Sequence, residues 1–288
     1  MLERIEVAEM LALSSQVEEL ILQHGSRGMD RLRHHLKPGY CWRAAQLILN
    51  RPGVVLLGTG FPVAGTFESD GPIGAIALYQ ILRAIGSEPV FVCAPPISRV
   101  MSRTFRTFEL PIAGWEASGT VVQEALKKLR PSLVVAVERA GKAADGHYYN
   151  MRGVDISDST AKYDLFFEHA GCPSIAFGDG GNEVGMGILH HVLSRMNIVP
   201  SVTTCDELVI STVSNWGVYG VIAMLCRQLK QNLFARVDAA AIARYLLANG
   251  CVDGVTSRQE LTEDGFPILV GISIIEQLKQ LVWPQASA

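Results

Sequence analysis

Five short apolar runs, at 54–57, 90–93, 133–137, 174–177 and 208–212, punctuate this chain, and none alternates strictly between apolar and polar residues. A strand with one wet face reads as alternation, whereas a run without it must be covered on both faces. Helical patterns lie between the runs at about 72–85, 118–130, 159–170, 184–195 and 216–231. Alternation of β and α at this spacing predicts an α/β fold, a doubly wound, mostly parallel sheet with helices on both faces. Upstream, Ile5, Ala8, Leu11, Val17, Leu20 and Ile21 share one helical face, and Gly25 and Gly28 break that helix. Shorter helical patterns at 28–36 and 40–49 end at Pro52-Gly53. Residues 1–52 therefore read as an N-terminal helical cap on a single domain, 1–288, with its core at 53–288. Runs at 238–248 and 272–282 add two C-terminal helices.

Composition removes several function classes. Hydrophobic residues make up 49% and charged residues 18%, so the chain has the material for a large core and is not disordered. The 25 basic and 28 acidic residues leave a net charge of −3, without the basic footprint that phosphate-backbone binding needs. No nucleic-acid partner is expected. No apolar run reaches the ~20 residues that span a bilayer, so no membrane partner is expected either. The N-terminus lacks the basic start and apolar stretch of a secretory signal, and the six cysteines are scattered with no C-x-x-C. A cytoplasmic location is the expectation.

The unusual residues fall just after the proposed strands. In an open α/β sheet that edge is where ligands bind. After the first run come Gly58-Thr59-Gly60, then Glu68-Ser69-Asp70-Gly71-Pro72. Glu138-Arg139-Ala140-Gly141-Lys142 follows the third, leading to Asp145, Asn150 and Arg152. The fourth ends in Gly178-Asp179-Gly180-Gly181-Asn182-Glu183, and the fifth in Ser214-Asn215.

Each cluster has a bland reading beside its chemical one. Glycines let backbone approach a ligand, and a following helix N-terminus offers N–H groups to an anion, but the same pattern makes a tight connection with Asn or Asp as cap. Asp179 and Glu183 could carry protons, with the Gly180 and Gly181 N–H groups holding an oxyanion. Glu138 at a strand end would be partly desolvated and its pKa raised, unless Arg139 or Lys142 compensates. Arg139 and Arg152 could clamp a carboxylate, or form loop ion pairs. Ser69 or Asp70 reads first as a helix cap with Pro72 in the first turn, and Asp70 second as a ligand contact. Gly58, Thr59 and Gly60 read as a turn or as an anion nest. Carboxylates at Asp70, Glu138, Asp145, Asp179 and Glu183 are the donors Mg²⁺ prefers, but their spacing fits no fixed metal loop, so no metal ligands are assigned. Neither G-x-G-x-x-G nor a Walker A sequence occurs at these glycines.

Taken together, GTGFP (58–62), ESDGPIGA (68–75), ERAGKAADGHYYNMRGVDI (138–156), GDGGNEVGMG (178–187), SNWGVYG (214–220) and VDGVTSRQE (252–260) resemble one family. This is the C-terminal domain of D-glutamate cyclase with its stand-alone bacterial relatives. The blocks occur in the family's order, from about residue 54 to 266. The resemblance implies a carbon–oxygen lyase (a hydro-lyase) that converts D-glutamate to 5-oxo-D-proline and water in D-amino acid metabolism. No redox cofactor is required, and a divalent cation such as Mg²⁺ is the one candidate addition.

Lactam closure needs the amine folded onto the γ-carboxyl carbon, a base for the ammonium and an acid for the departing hydroxide. Glu183, Asp179 and Glu138 are the expected proton carriers. Gly58, Thr59, Gly60, Asp70, Arg139, Lys142, Asp145, Asn150, Arg152, Gly180, Gly181, Asn182 and Asn215 are the expected substrate contacts. The partner is then a small acidic amino acid, with homo-oligomerisation left open. Two other readings stand beside this one: a non-catalytic protein that binds an acidic metabolite, and an enzyme acting on a phosphorylated small molecule.

Overall fold

The computed structural model describes residues 2–25 and 27–283. The N-terminal segment forms α1 (Leu2–Ile21), α2 (Met29–Leu32) and α3 (Tyr40–Asn50). Then follow β1 (Val54–Gly58), a small hairpin β2 (Pro62–Val63) and β3 (Thr66–Phe67), α4 (Pro72–Ala84), β4 (Glu88–Cys93), α5 (Ile97–Met101) and β5 (Thr107–Glu109). The second half runs α6 (Trp115–Leu129), β6 (Leu133–Val137), α7 (Asp164–His169), β7 (Ser174–Gly178), α8 (His190–Leu193) and β8 (Glu207–Ile210). Last come α9 (Ser214–Leu229), α10 (Ala239–Leu247), a second hairpin β9 (Thr262–Glu263) and β10 (Phe266–Pro267), and α11 (Ile268–Val282).

The central sheet has six strands in the order β5-β4-β1-β6-β7-β8, and every neighbouring pair is parallel. In β1, β4 and β6 the apolar runs lack alternation because successive side chains enter two separate cores. Val55 and Leu57 of β1 and Leu133, Val135 and Val137 of β6 join one layer, while Leu56, Val134 and Ala136 join the other. One face is covered by α4 and α9, backed by α1, α3, α10 and α11, and the other by α6 and α7. Helix α9 is apolar on nearly every side, and residues 214–226 are all buried, as a helix without a polar face must be. Gly74 lets α4 cross it closely, since a Cβ there would lie 3.0 Å from the Asn215 Cα.

Three expectations are corrected. The pattern at 184–195 is a 3-10 turn, Met186–Leu189, followed by the single turn α8. Gly185 takes φ 96°, and a Cβ on Gly187 would lie 2.4 Å from the Val202 carbonyl oxygen, so the chain there cannot continue as a long helix. The anion-binding helix start expected after the 178–187 glycines is therefore absent. At 159–170 only Asp164–His169 is helical, after a 3-10 turn at Ser157–Ser159. Edge strand β5 carries only three residues, too few to register as a pattern.

Strand order reverses between β1 and β6. The chain winds outward from β1 through β4 in one direction and from β6 through β7 in the other. The loops after these two strands part and leave a crevice, the usual ligand position in this architecture. No helix among the described residues is long and apolar enough to cross a membrane.

Candidate active site

A cavity of about 660 Å³ opens at that crevice, with Glu68, Asp70, Glu138, Asn182 and Asp264 in its wall. Asp70, Glu138 and Asp179 each present a carboxylate oxygen, all within 4.8 Å of one another, and all three residues are buried.

The main chain dictates where each acid points. Asp70 lies at the entry to α4, and its Oδ1 accepts from the N–H groups of Gly71 at 2.8 Å and Asn215 at 2.9 Å. Its Oδ2 accepts from the Ser214 N–H at 2.9 Å, so one carboxylate joins the starts of two helices. Gly71 has φ 88°, and a Cβ there would lie 2.7 Å from the Glu138 Cβ. Glu138 leaves β6 at φ 42°, a left-handed conformation that a glutamate rarely adopts and that costs about 1–3 kcal/mol. Its Oε2 accepts from the Ser214 hydroxyl at 2.7 Å. Asp179 directly follows β7, and its Oδ1 accepts from Arg27 Nη1 at 2.7 Å. The other arm of Arg27 binds Asp264, in the turn between β9 and β10.

Electrostatics follow from this crowding. Burial pushes Asp70 up to about 7, with the nearby Asp264 adding to the effect. Burial likewise raises Asp264 to about 7, against the opposing pull of Arg27. Burial also raises Glu68, Glu138 and Asp179 well above the carboxylate range; Asp70 adds to the rise at Glu68 and Glu183 to that at Glu138, while Arg27 pulls against it at Asp179. Arg27 is raised by Asp179 and stays charged. Asp179 Oδ2 has no donor and lies beside Asp70, so this pair fits together by sharing a proton or a cation. Asn182 Oδ1 also lacks a partner in the wall of the same cavity. These oxygens form the donor set that a hard cation such as Mg²⁺ takes.

Several residues singled out in the sequence point elsewhere. The Glu183 carboxylate accepts the Gly180 N–H at 2.7 Å and the Gly181 N–H at 2.6 Å, so acid and glycines saturate one another inside the loop. Arg139 is buried and donates to the carbonyls of Gly60 and Ala161, away from the cavity. It follows Glu138, whose left-handed backbone turns the two neighbouring side chains in different directions. Lys142 Nζ pairs with Glu168 at 2.6 Å and sits over the Trp115 ring. Asp145 is exposed, held by the Tyr149 hydroxyl and the His147 N–H. Gly58 packs on the Tyr163 ring, and Asn215 ties Gly71, Gly74, Ser69 and Glu263 together.

Others do reach the cavity. Asn150 and Arg152 line its mouth, although the Asn150 Oδ1 is also used in its own turn, accepting from the N–H groups of Arg152 and Val154. Thr59 is not in the cavity wall but is buried next to Glu138, its hydroxyl unpartnered. Arg27 and Asp264 escaped sequence reasoning. Asp264-Gly265 carries a detectable signal, since both residues have positive φ in a two-residue hairpin turn that Asp-Gly favours. Arg27 carries none, for it lies 152 residues from Asp179 and 237 from Asp264.

The family described as D-glutamate cyclase-like, C-terminal, matches residues 17–279. The human protein named D-glutamate cyclase, mitochondrial, is 32% identical over 208 residues, covering 63% of this chain and 34% of the human protein's length. The chain thus spans about a third of that relative. Matching blocks and a carboxylate-lined crevice at the sheet's switch point agree: the chain belongs to the D-glutamate cyclase-like C-terminal family.

Proposed function

We propose that the cavity is the active site of a hydro-lyase that closes D-glutamate to 5-oxo-D-proline with loss of water. The observation that carries this reading is the convergence of buried Asp70, Glu138 and Asp179 in a member of this family. The reaction needs a base and an acid within one ligand's length, and neighbouring carboxyls with raised pKa values supply both near neutrality. Asp179, held by Arg27, receives the substrate ammonium. Asp70, raised to about 7, takes its proton as the nitrogen closes on the γ-carboxyl carbon. Glu138, which burial holds well above the carboxylate range, protonates the departing hydroxyl. Arg152 at the mouth faces the α-carboxyl group and donates to its carbonyl oxygen. Burial of both reacting ends also keeps out bulk water, which would oppose dehydration.

The unpartnered Asp179 Oδ2 and Asn182 Oδ1 favour a second arrangement, in which Asp70, Glu138 and Asp179 would hold a Mg²⁺-class ion that would supply Lewis-acid polarisation of the γ-carboxyl. A phosphorylated substrate fits less well, because Glu183 occupies the glycine N–H groups and the cavity wall is acidic.

The test incubates purified protein with D- or L-glutamate, with and without chelator, and resolves the 5-oxoproline enantiomers. Turnover of the D enantiomer is expected, reduced about 10²-fold or more by Glu138→Gln with folding intact. Lack of product from D-glutamate in the presence of Mg²⁺, or a Glu138→Gln variant of normal activity, overturns the reading. Loss of activity with chelator assigns the ion-bridged arrangement.

A further inference from the structure

The cavity is too large for glutamate alone. Glutamate has about ten non-hydrogen atoms, and allotting each one a water's liquid share of about 30 Å³ fills about 300 Å³. That is under half of the 660 Å³ available. A cavity of this size ordinarily holds a ligand well beyond a single amino acid.

The surplus has a definite place and chemistry. The acids of the proposed site are buried: Asp70 and Glu138, 2% and 6% exposed, line the cavity, and Asp179, 1% exposed, lies within 4.8 Å of them. The less buried apolar lining includes Val63, Met151, Val255 and Phe266. Met151 and Val255 are 38% and 45% exposed, large apolar side chains at the rim of an acidic pocket. Arg152 Nη2 donates to the Val255 carbonyl at 3.3 Å, joining the two rim segments across the mouth. A buried polar floor beneath an apolar collar suits a ligand with a charged head and an apolar extension.

The chemistry of ring closure says where that extension joins. The amine nitrogen, the α, β and γ carbons and the γ-carboxyl carbon become the ring, and the γ-hydroxyl leaves against the floor acids. Of glutamate's functional groups, only the α-carboxyl stays outside the ring and is free to face the mouth.

We propose that this site accepts D-glutamyl compounds extended at the α-carboxyl by an apolar amide, converting an N-terminal D-glutamyl residue into a 5-oxo-D-prolyl cap. The inference rests on the cyclase reading of the same site. The new bond joins the α-nitrogen to the γ-carbonyl carbon. The γ C–OH bond breaks, one water leaves with a proton from the floor, and the α-amide is untouched.

The test compares kcat/KM, above the enzyme-free rate, for D-glutamate, D-glutamyl-glycinamide and D-glutamyl-phenylalaninamide. The phenylalanine compound should exceed the glycine compound about tenfold or more. Val255→Ser should erase most of that ratio while leaving D-glutamate turnover within about twofold. Turnover of D-glutamate with neither amide cyclised, or with both amides cyclised equally, overturns the extension and leaves the cyclase reading standing. A preference that Val255→Ser does not move also overturns it, because the collar is then not what holds the side chain. If none of the three is cyclised, the cyclase reading falls and the extension falls with it.

Discussion

Glu183→Gln discriminates between two roles for the most acidic-looking position of the glycine loop. In the structure the Glu183 carboxylate closes on the N–H groups of Gly180 at 2.7 Å and Gly181 at 2.6 Å, and the residue is 1% exposed. Hydrogen bonds to a charged group are worth about 1.5–3 kcal/mol each, and a buried N–H left without a partner costs about 1–3 kcal/mol. Glutamine keeps one acceptor oxygen but turns an NH₂ toward the second N–H. One charge-assisted bond is lost and one donor is stranded, for a total of about 2.5–6 kcal/mol. Domains of this general size shift about 2–4 °C per kcal/mol, so Tm should fall by about 5–24 °C. On the loop-holding role, the proposed turnover of D-glutamate, measured well below the variant's melting transition, should stay within about tenfold. Thermal melts followed by circular dichroism, with steady-state kinetics on the same preparation, read both quantities. A turnover loss of about 10²-fold with Tm unchanged would refute the loop-holding role and return Glu183 to the chemistry.

Three further outcomes follow from the same geometry. Arg139→Met strands the carbonyls of Gly60 and Ala161 and should lower Tm, with the KM of the folded protein changed less than about threefold; a large KM rise at unchanged Tm would put Arg139 against the substrate. Arg27→Met removes the cation between Asp179 and Asp264, so its stability deficit should be greater at pH 8, where the acids shed protons, than at pH 5; an equal deficit would mean that Arg27 only packs. Asp264 is raised from 3.8 to about 7, so between those pH values the native state binds the extra proton and stability falls as pH rises. Asp264→Asn, which keeps the left-handed turn, should therefore gain Tm relative to wild type from about pH 4 to pH 7 and level off above; a flat difference across that range would place the raised pKa elsewhere.

Much of the frame was legible from local pattern. Residues 54–57 and 133–137 lack alternation because each strand feeds two cores, and 174–177 because every residue of that strand is buried, so burial on both faces writes itself into consecutive residues. Asp70, Glu138 and Asp179 were placed at one sheet edge because each follows a strand or opens a helix, and parallel strands bring all such positions to the same side. Side-chain direction is another matter. Glu138 and Arg139 are neighbours, yet one turns into the cavity and the other away from it, and a left-handed backbone at Glu138 decides which. Glu183 looks like a free acid in sequence until two N–H groups from its own loop fold onto it.

Long-range pairing was invisible for a different reason. Arg27 reaches Asp179 and Asp264 only because α1 and α11 pack on α9, bringing three distant segments to the mouth of one crevice. Sequence by itself determined the layered α/β frame and the edge that carries the acids, because both arise from the periodicity of short segments. Tertiary structure decided which acids share the cavity, which cation balances them and how much room lies above them, because those depend on distances between segments that no local pattern encodes.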